Sequence, residues 1–208
     1  MFYTTASQTS LLIQLQDLAT YHVWAISRLA DWLKTKPAAL LEAEVASSFP
    51  GIKETLLHMR DVERDLLAQL QNDQPPFAAR RNADDSLDEV LGSLVEQALL
   101  LEQYLQSLTE EELEEACDCN IAFIGEIYRP RYEIIQHCLN HSTYHRGQVV
   151  TIGHQLGLRD APMTDYLFYV MRVKEPASYG VTTLAGKHNR KTTEPAHKSF
   201  LAVNFFSK

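Results

Sequence analysis

Gln136-His137-Cys138-Leu139-Asn140-His141-Ser142-Thr143-Tyr144-His145-Arg146-Gly147-Gln148 sets three histidines at four-residue intervals inside a segment with the apolar rhythm of a helix. Side chains four apart on a helix stack on one face, so His141 and His145 can point at one common atom. Imidazole is the most frequent protein ligand for transition metals, and two at this spacing make half of a site. Pro130 is expected to open this helix and Gly157 to stop it. Between them Ile134, Ile135, Cys138, Val149, Ile152 and Leu156 mark the apolar stripe. At about 100° per residue, His145 falls within that stripe, His141 at its margin and His137 further towards the polar side. The wheel therefore favours His141 and His145 as the inward pair. Paired histidines also occur on solvated faces, so spacing alone leaves a metal site and a plain polar surface equally open.

Upstream, the same helical period recurs three times. From about Ser7 to Lys34, Leu11, Leu15, Leu18, Ala25, Leu29 and Leu33 form one stripe, with His22 in its middle, and Pro37 ends it. A second helix is expected to open at Ser47-Ser48-Phe49-Pro50, with Ser48 as its cap and Pro50 in its first turn. It carries Ile52, Leu56, Met59, Leu66 and Leu70, until Asn72-Asp73-Gln74-Pro75-Pro76 breaks it. His58 sits at the edge of this stripe. Glu63 sits near its centre, an unusual place for a carboxylate without a partner. A third helix starts near Ser86, where Ser86 and Glu89 fit a capping box, and runs through Leu91, Leu94, Leu101 and Leu105. Thr109 with the following glutamates reads as a polar helix end or a short new turn.

Residues 115–129 change character, and isoleucine, phenylalanine and tyrosine around Gly125 suggest an extended, hairpin-like crossover before the fourth helix. Residues 161–169 read as a short helix or closing segment. The fold class is therefore all-α: a four-helix bundle with a long crossover before the fourth helix, a short C-terminal helical segment and a tail. Residues 1–173 are expected to form the bundle, and 174–208 an irregular tail, flexible or docked on a neighbour.

Composition narrows the setting. With 208 residues there is enough chain for one domain with a sizeable core. A formal charge of −8 argues against general affinity for nucleic acid. No apolar run approaches a membrane span, and the N-terminus lacks the basic and apolar regions of a signal peptide. Cys117, Cys119 and Cys138 are too few for a disulfide framework and read as small packing residues rather than a zinc-binding set. A cytoplasmic location is expected.

A third ligand for His141 and His145 has to come from another helix. His58 is the leading candidate. His22, Glu63 and His137 fit hydrogen-bonding roles around a metal as well as ligation.

These residues carry a wider likeness. Asn140-His141-Ser142-Thr143-Tyr144-His145-Arg146-Gly147-Gln148 resembles the fourth-helix signature of the DinB/YfiT-like family of metal-binding four-helix bundles, known for a DNA-damage-inducible bacterial member. Tyr21-His22-Val23-Trp24-Ala25 with Arg28-Leu29 is similar to its first-helix pattern, though asparagine usually stands where His22 does. Ser48-Phe49, Ile52, Thr55-Leu56, His58 and Glu63 resemble its second-helix pattern, and Pro162-Met163-Thr164-Asp165-Tyr166 its closing segment. The likeness covers about Leu11 to Tyr169. One departure is Asp65-Leu66, where an aromatic residue often stands, so packing there is expected to differ.

The resemblance implies a divalent metal on His58, His141 and His145, with zinc or nickel ahead of iron or manganese, and positions left open for water or substrate. Three histidines and an open position are the arrangement of a catalytic rather than a closed structural metal. Such a metal can lower the pKa of bound water, polarise a carbonyl or hold a thiolate. Relatives implied by the resemblance include transferases and isomerases that use low-molecular-weight thiols, so a metal-dependent thiol transferase or hydrolase is expected, as a homodimer acting on a small molecule. The alternative is a non-catalytic, stress-induced binding or regulatory module with a structural metal. No catalytic nucleophile or base stands out. Glu63 and Tyr144 are candidates for helpers, while Arg146 and Gln148 are expected to tie their helix to its neighbours.

Overall fold

Four stretches with apolar side chains every three to four residues become the four long helices of a computed structural model that describes residues 10–72, 85–121 and 124–175. Helix α1 spans Ser10–Lys34, and a single turn α2 at Ala38–Leu41 follows, with Pro37 at its N-cap. Then come α3 (Ile52–Leu70), α4 (Leu87–Ser107) and a short α5 (Glu110–Glu114). A two-stranded antiparallel hairpin, β1 (Ala116–Ile121) and β2 (Gly125–Pro130), leads into α6 (Arg131–Gln155), and α7 is one turn at Tyr166–Tyr169. The expected all-α bundle is thus observed, with the crossover before the fourth long helix formed by the hairpin. The chain divides into two compact units, Met1–Tyr169 and Val170–Lys208. Of the second, a π-helical turn at Val170–Lys174 is described, closed by the Glu175 amide donating to the Val170 carbonyl. The expected tail otherwise lies outside the described residues, as do residues 7–9 and 73–76. No helix among the described residues is long and apolar enough to cross a membrane.

Local chemistry accounts for most boundaries. Ser86 with Glu89 and Thr109 with Glu112 form reciprocal capping boxes, in which each side chain satisfies the other's orphan amide. Gly157, at φ 87°, turns the chain out of α6 in a conformation that a side chain would strain. The start of α3 differs from expectation. Its N-cap is Gly51, and Ser48 does not cap it; the Ser48 hydroxyl instead accepts from the Gln148 amide at 3.3 Å. The reason is a fold-back of the preceding loop. The Val45 amide donates to the Pro50 carbonyl at 2.8 Å, and a Cβ on Gly51 would come within 2.5 Å of the Ala43 carbonyl oxygen. Only glycine fits there. The fold-back sets Phe49 over the first turns of α3.

Side-by-side packing pairs α1 with α4, α4 with α3, α3 with α6 and α6 with α1. α1 and α3 therefore occupy opposite corners, so the link between them crosses the bundle as the hairpin does between α4 and α6. Two apolar clusters fill the interior. One gathers Ile26, Leu29, Leu56, Leu91, Val149 and Ile152, and the other Leu15, Leu66, Leu101, Leu105, Ile135 and Cys138. Between them each long helix contributes a buried polar residue: His22 from α1, Glu63 from α3, Gln97 from α4, and Ser142, His145 and Arg146 from α6. The bundle has a polar waist. The closing segment is fastened to α1 by Tyr21, whose hydroxyl donates to the Thr164 carbonyl at 2.6 Å, and by a hydrogen bond from the Tyr166 hydroxyl to Asp17.

Candidate metal centre

At one side of the waist, His58 of α3 meets His141 and His145 of α6. His141 Nε2 lies 3.1 Å from His58 Nε2 and 3.0 Å from His145 Nε2, and one ligand atom from each ring falls within 4.8 Å of the others. Two nitrogens bound to one cation at 2.0–2.1 Å, with angles of about 90–110°, lie roughly 2.9–3.4 Å apart. The observed separations match. His145 is buried and the other two are half-buried.

The protonation pattern fits the same reading. His145 Nδ1 lies 2.6 Å from Gln148 Oε1, which can only accept, so Nδ1 carries the hydrogen and Nε2 presents its lone pair to the cluster. The Gln148 amide nitrogen donates to the Tyr144 hydroxyl at 3.0 Å and to Ser48, which orients the amide. His141 Nε2 faces two other ring nitrogens and has at most one hydrogen to share between them. A cation satisfies all three lone pairs at once. Burial, then the neighbouring His145, His58 and His137 rings, hold the His141 pKa down at about 3, and burial also lowers that of His145. Both imidazoles are thus neutral at pH 7, the form that ligates.

Phe49 stacks on the His58 ring with centroids 4.3 Å apart and meets His145 edge-on at 5.7 Å, covering one side of the cluster. A cavity of about 330 Å³, also lined by Phe49, reaches the rings of His58 and His141. Asp65 and Leu66, where the chain departs from the family's aromatic residue, line it.

The remaining candidates separate cleanly. His137 lies on the exposed side of α6, its ring centroid 5.8 Å from that of His141, and lines the cavity without joining the converging nitrogens. His22 and Glu63 pair with each other in the core. Tyr144 is exposed, its ring edge-on to His145. Arg146 is buried between α6 and α1, where Nη2 donates to the Tyr21 hydroxyl at 3.0 Å, consistent with tying helices together. Gln148 does more than that: it sets the tautomer of His145. Its signal in the sequence was its place three residues beyond a ligand candidate, on the same helix face.

A helical bundle whose waist brings three imidazoles to one point defines a candidate metal-binding four-helix protein. The sequence matches the DinB family over residues 6–177, and the chain belongs to that family. It is similar to Protein DinB of Bacillus subtilis (strain 168), with 26% identity over 163 residues, covering 76% of this chain and 94% of that protein.

Proposed function

We propose that this DinB-family protein holds one divalent cation on His58, His141 and His145, and uses it in metal-dependent thiol transfer or hydrolysis of a small molecule. The observation that supports the reading is the convergence of three ring nitrogens, two contacts of which measure 3.0 and 3.1 Å. Zinc or nickel suits an all-imidazole donor set. When bound, the cation would supply Lewis acidity, for polarising a carbonyl, acidifying a water or holding a thiolate.

The chain's own groups have defined tasks in this reading. Gln148 keeps the His145 lone pair turned inward, and partial burial keeps His141 and His145 unprotonated at neutral pH. Phe49 stacks on His58 and forms part of the wall of the cavity beside His58 and His141, through which a ligand reaches the metal. The test is metal content of protein purified without a polyhistidine tag and supplemented with zinc or nickel. Close to one ion per chain is expected for the natural sequence and close to none for His141→Ala/His145→Ala. Equal content in the two, or none in either, would sink the proposal.

A further inference from the structure

We propose that a crevice between α1 and α6, apart from the metal centre, binds a small monovalent anion of the size of formate on Arg146. The crevice has a volume of about 50 Å³, and its lining includes Leu18 and His22 of α1 and Asn140 and Arg146 of α6. None of the three metal-centre histidines lines it, and it shares no residue with the cavity beside them. At about 100° per residue, Thr143 of the crevice stands roughly opposite the His141/His145 face of α6. Tyr21, His22 and Arg146 are buried, whereas Asn140 and Thr143 are exposed, so the crevice leads from solvent towards the guanidinium.

A guanidinium carries five N–H hydrogens and a fixed positive charge. Nη2 of Arg146 donates its two, to the Tyr21 hydroxyl and to Thr143 Oγ1, each at 3.0 Å. Nε and Nη1, which carry the other three, are buried and have no protein partner. Both partners of Nη2 are neutral hydroxyls, and no ion pair joins Arg146 to a carboxylate among the described residues. In the waist, Glu63 turns both its oxygens to His22 Nε2, at 3.2 and 3.0 Å. Burying a cation without full pairing is costly, and Arg146 is only 4% exposed. An anion in the crevice supplies the opposing charge and accepts from the free N–H groups. His22 Nδ1 is also buried and unpartnered. With hydrogen on Nε2, which faces Glu63, Nδ1 of the neutral ring accepts, so it suits a water hydrogen and not a second anionic group. Volume sets the size. A cavity of roughly 150 Å³ takes up benzene, so about 50 Å³ suits about two or three heavy atoms. Formate fits, whereas sulfate and phosphate are too large.

Formate, its neutral size match formamide, and the larger sulfate decide the matter. Each is titrated into full-length protein at constant ionic strength, set with gluconate, while the N–H resonance of Arg146 Nε is followed. Formate is expected to shift it saturably, with half-saturation no tighter than about 1 mM, the ceiling for so small a ligand. Formamide and sulfate are expected to leave it in place. Leu18→Phe, which fills the crevice and keeps Arg146, is expected to weaken formate about tenfold or more with helical circular dichroism retained. His141→Ala/His145→Ala is expected to respond as the natural sequence does, which separates this site from formate held by a metal. No saturable shift, an equal response to formamide, or a response untouched by Leu18→Phe would overturn the proposal. So would a response that vanishes with the two histidines. The comparison of formate with formamide needs no variant, so it decides even where Leu18→Phe does not fold. Zinc content is read separately, and none of these outcomes bears on it.

Discussion

His22 and Glu63, forty-one positions apart, meet in the polar waist with His22 Nε2 3.0 Å from one carboxylate oxygen and 3.2 Å from the other. Both are almost wholly buried. They belong to α1 and α3, at opposite corners of the bundle, so the pair spans the interior where the apolar layers part. A buried carboxylate deprived of its partner is costly, whereas replacing both partners by apolar groups costs far less. His22→Leu alone is therefore expected to lose about 3–5 kcal/mol of stability, and His22→Leu/Glu63→Leu to recover much of that loss. Urea unfolding of the four-member cycle measures it. Strictly additive penalties would show that the two do not act as a unit.

Gln148 leads to a prediction about affinity rather than stability. Its carbonyl oxygen fixes which nitrogen of His145 carries hydrogen, and partners of this kind are worth about 10–100-fold in metal binding. Gln148→Leu should weaken zinc binding by about that factor, with the helical circular dichroism unchanged. Gln148→Glu, which keeps an acceptor in place, should bind zinc at least as tightly as the natural sequence. Competition against a chromophoric chelator reads both, and natural affinity in Gln148→Leu would dispose of the role.

The parts of this site that could be read from sequence are those governed by helical period. His141 and His145 share a face because residues four apart always do, and His58 was marked by its place beside an apolar stripe. The two capping boxes were equally local: Ser86 with Glu89 was expected outright, and Thr109 with Glu112 only as a polar helix end or short turn. What escaped depended on which helices are neighbours. The His22–Glu63 pair needs the diagonal placement of α1 and α3, which no period encodes. The start of α3 needs the close approach of the Ala43 carbonyl to Gly51, so Ser48, a plausible cap by residue type, stands in a loop that folds back. The cavity depends on the hairpin lying against α3 through Gln69 and Asn120, a contact between segments about fifty residues apart.

Acid should weaken the metal-free protein over a defined interval. The folded-state pKa of His141 is held at about 3, mainly by burial and then by the adjacent imidazoles, against an ordinary value of 6.5. Between these values the unfolded chain binds a proton that the folded chain does not, so stability rises with pH there. The contribution is fully present above pH 6.5 and is lost as pH falls towards 3. Urea midpoints of chelator-treated protein should drop from pH 7 to pH 4, and His141→Ala should show a flatter profile over the same interval. Parallel profiles would remove His141 as a cause.

Chelation separates a metal that serves chemistry from one that holds the bundle together. The two apolar clusters lie on either side of the waist, and neither includes a histidine of the metal centre. Each is filled mainly by leucine and isoleucine side chains from several helices, so the drive to fold does not depend on the ion. Binding still adds stability by mass action, about 4 kcal/mol when free metal is a thousandfold above its dissociation constant. For a chain of this size that corresponds to a rise in Tm of about 8–16 °C. Removing zinc should therefore lower Tm by an amount that grows with the logarithm of the zinc concentration used beforehand, while far-ultraviolet circular dichroism at 25 °C stays that of a helical bundle. A structural fixture would behave otherwise: the helical signal would collapse at 25 °C on chelation, and refolding would require the metal.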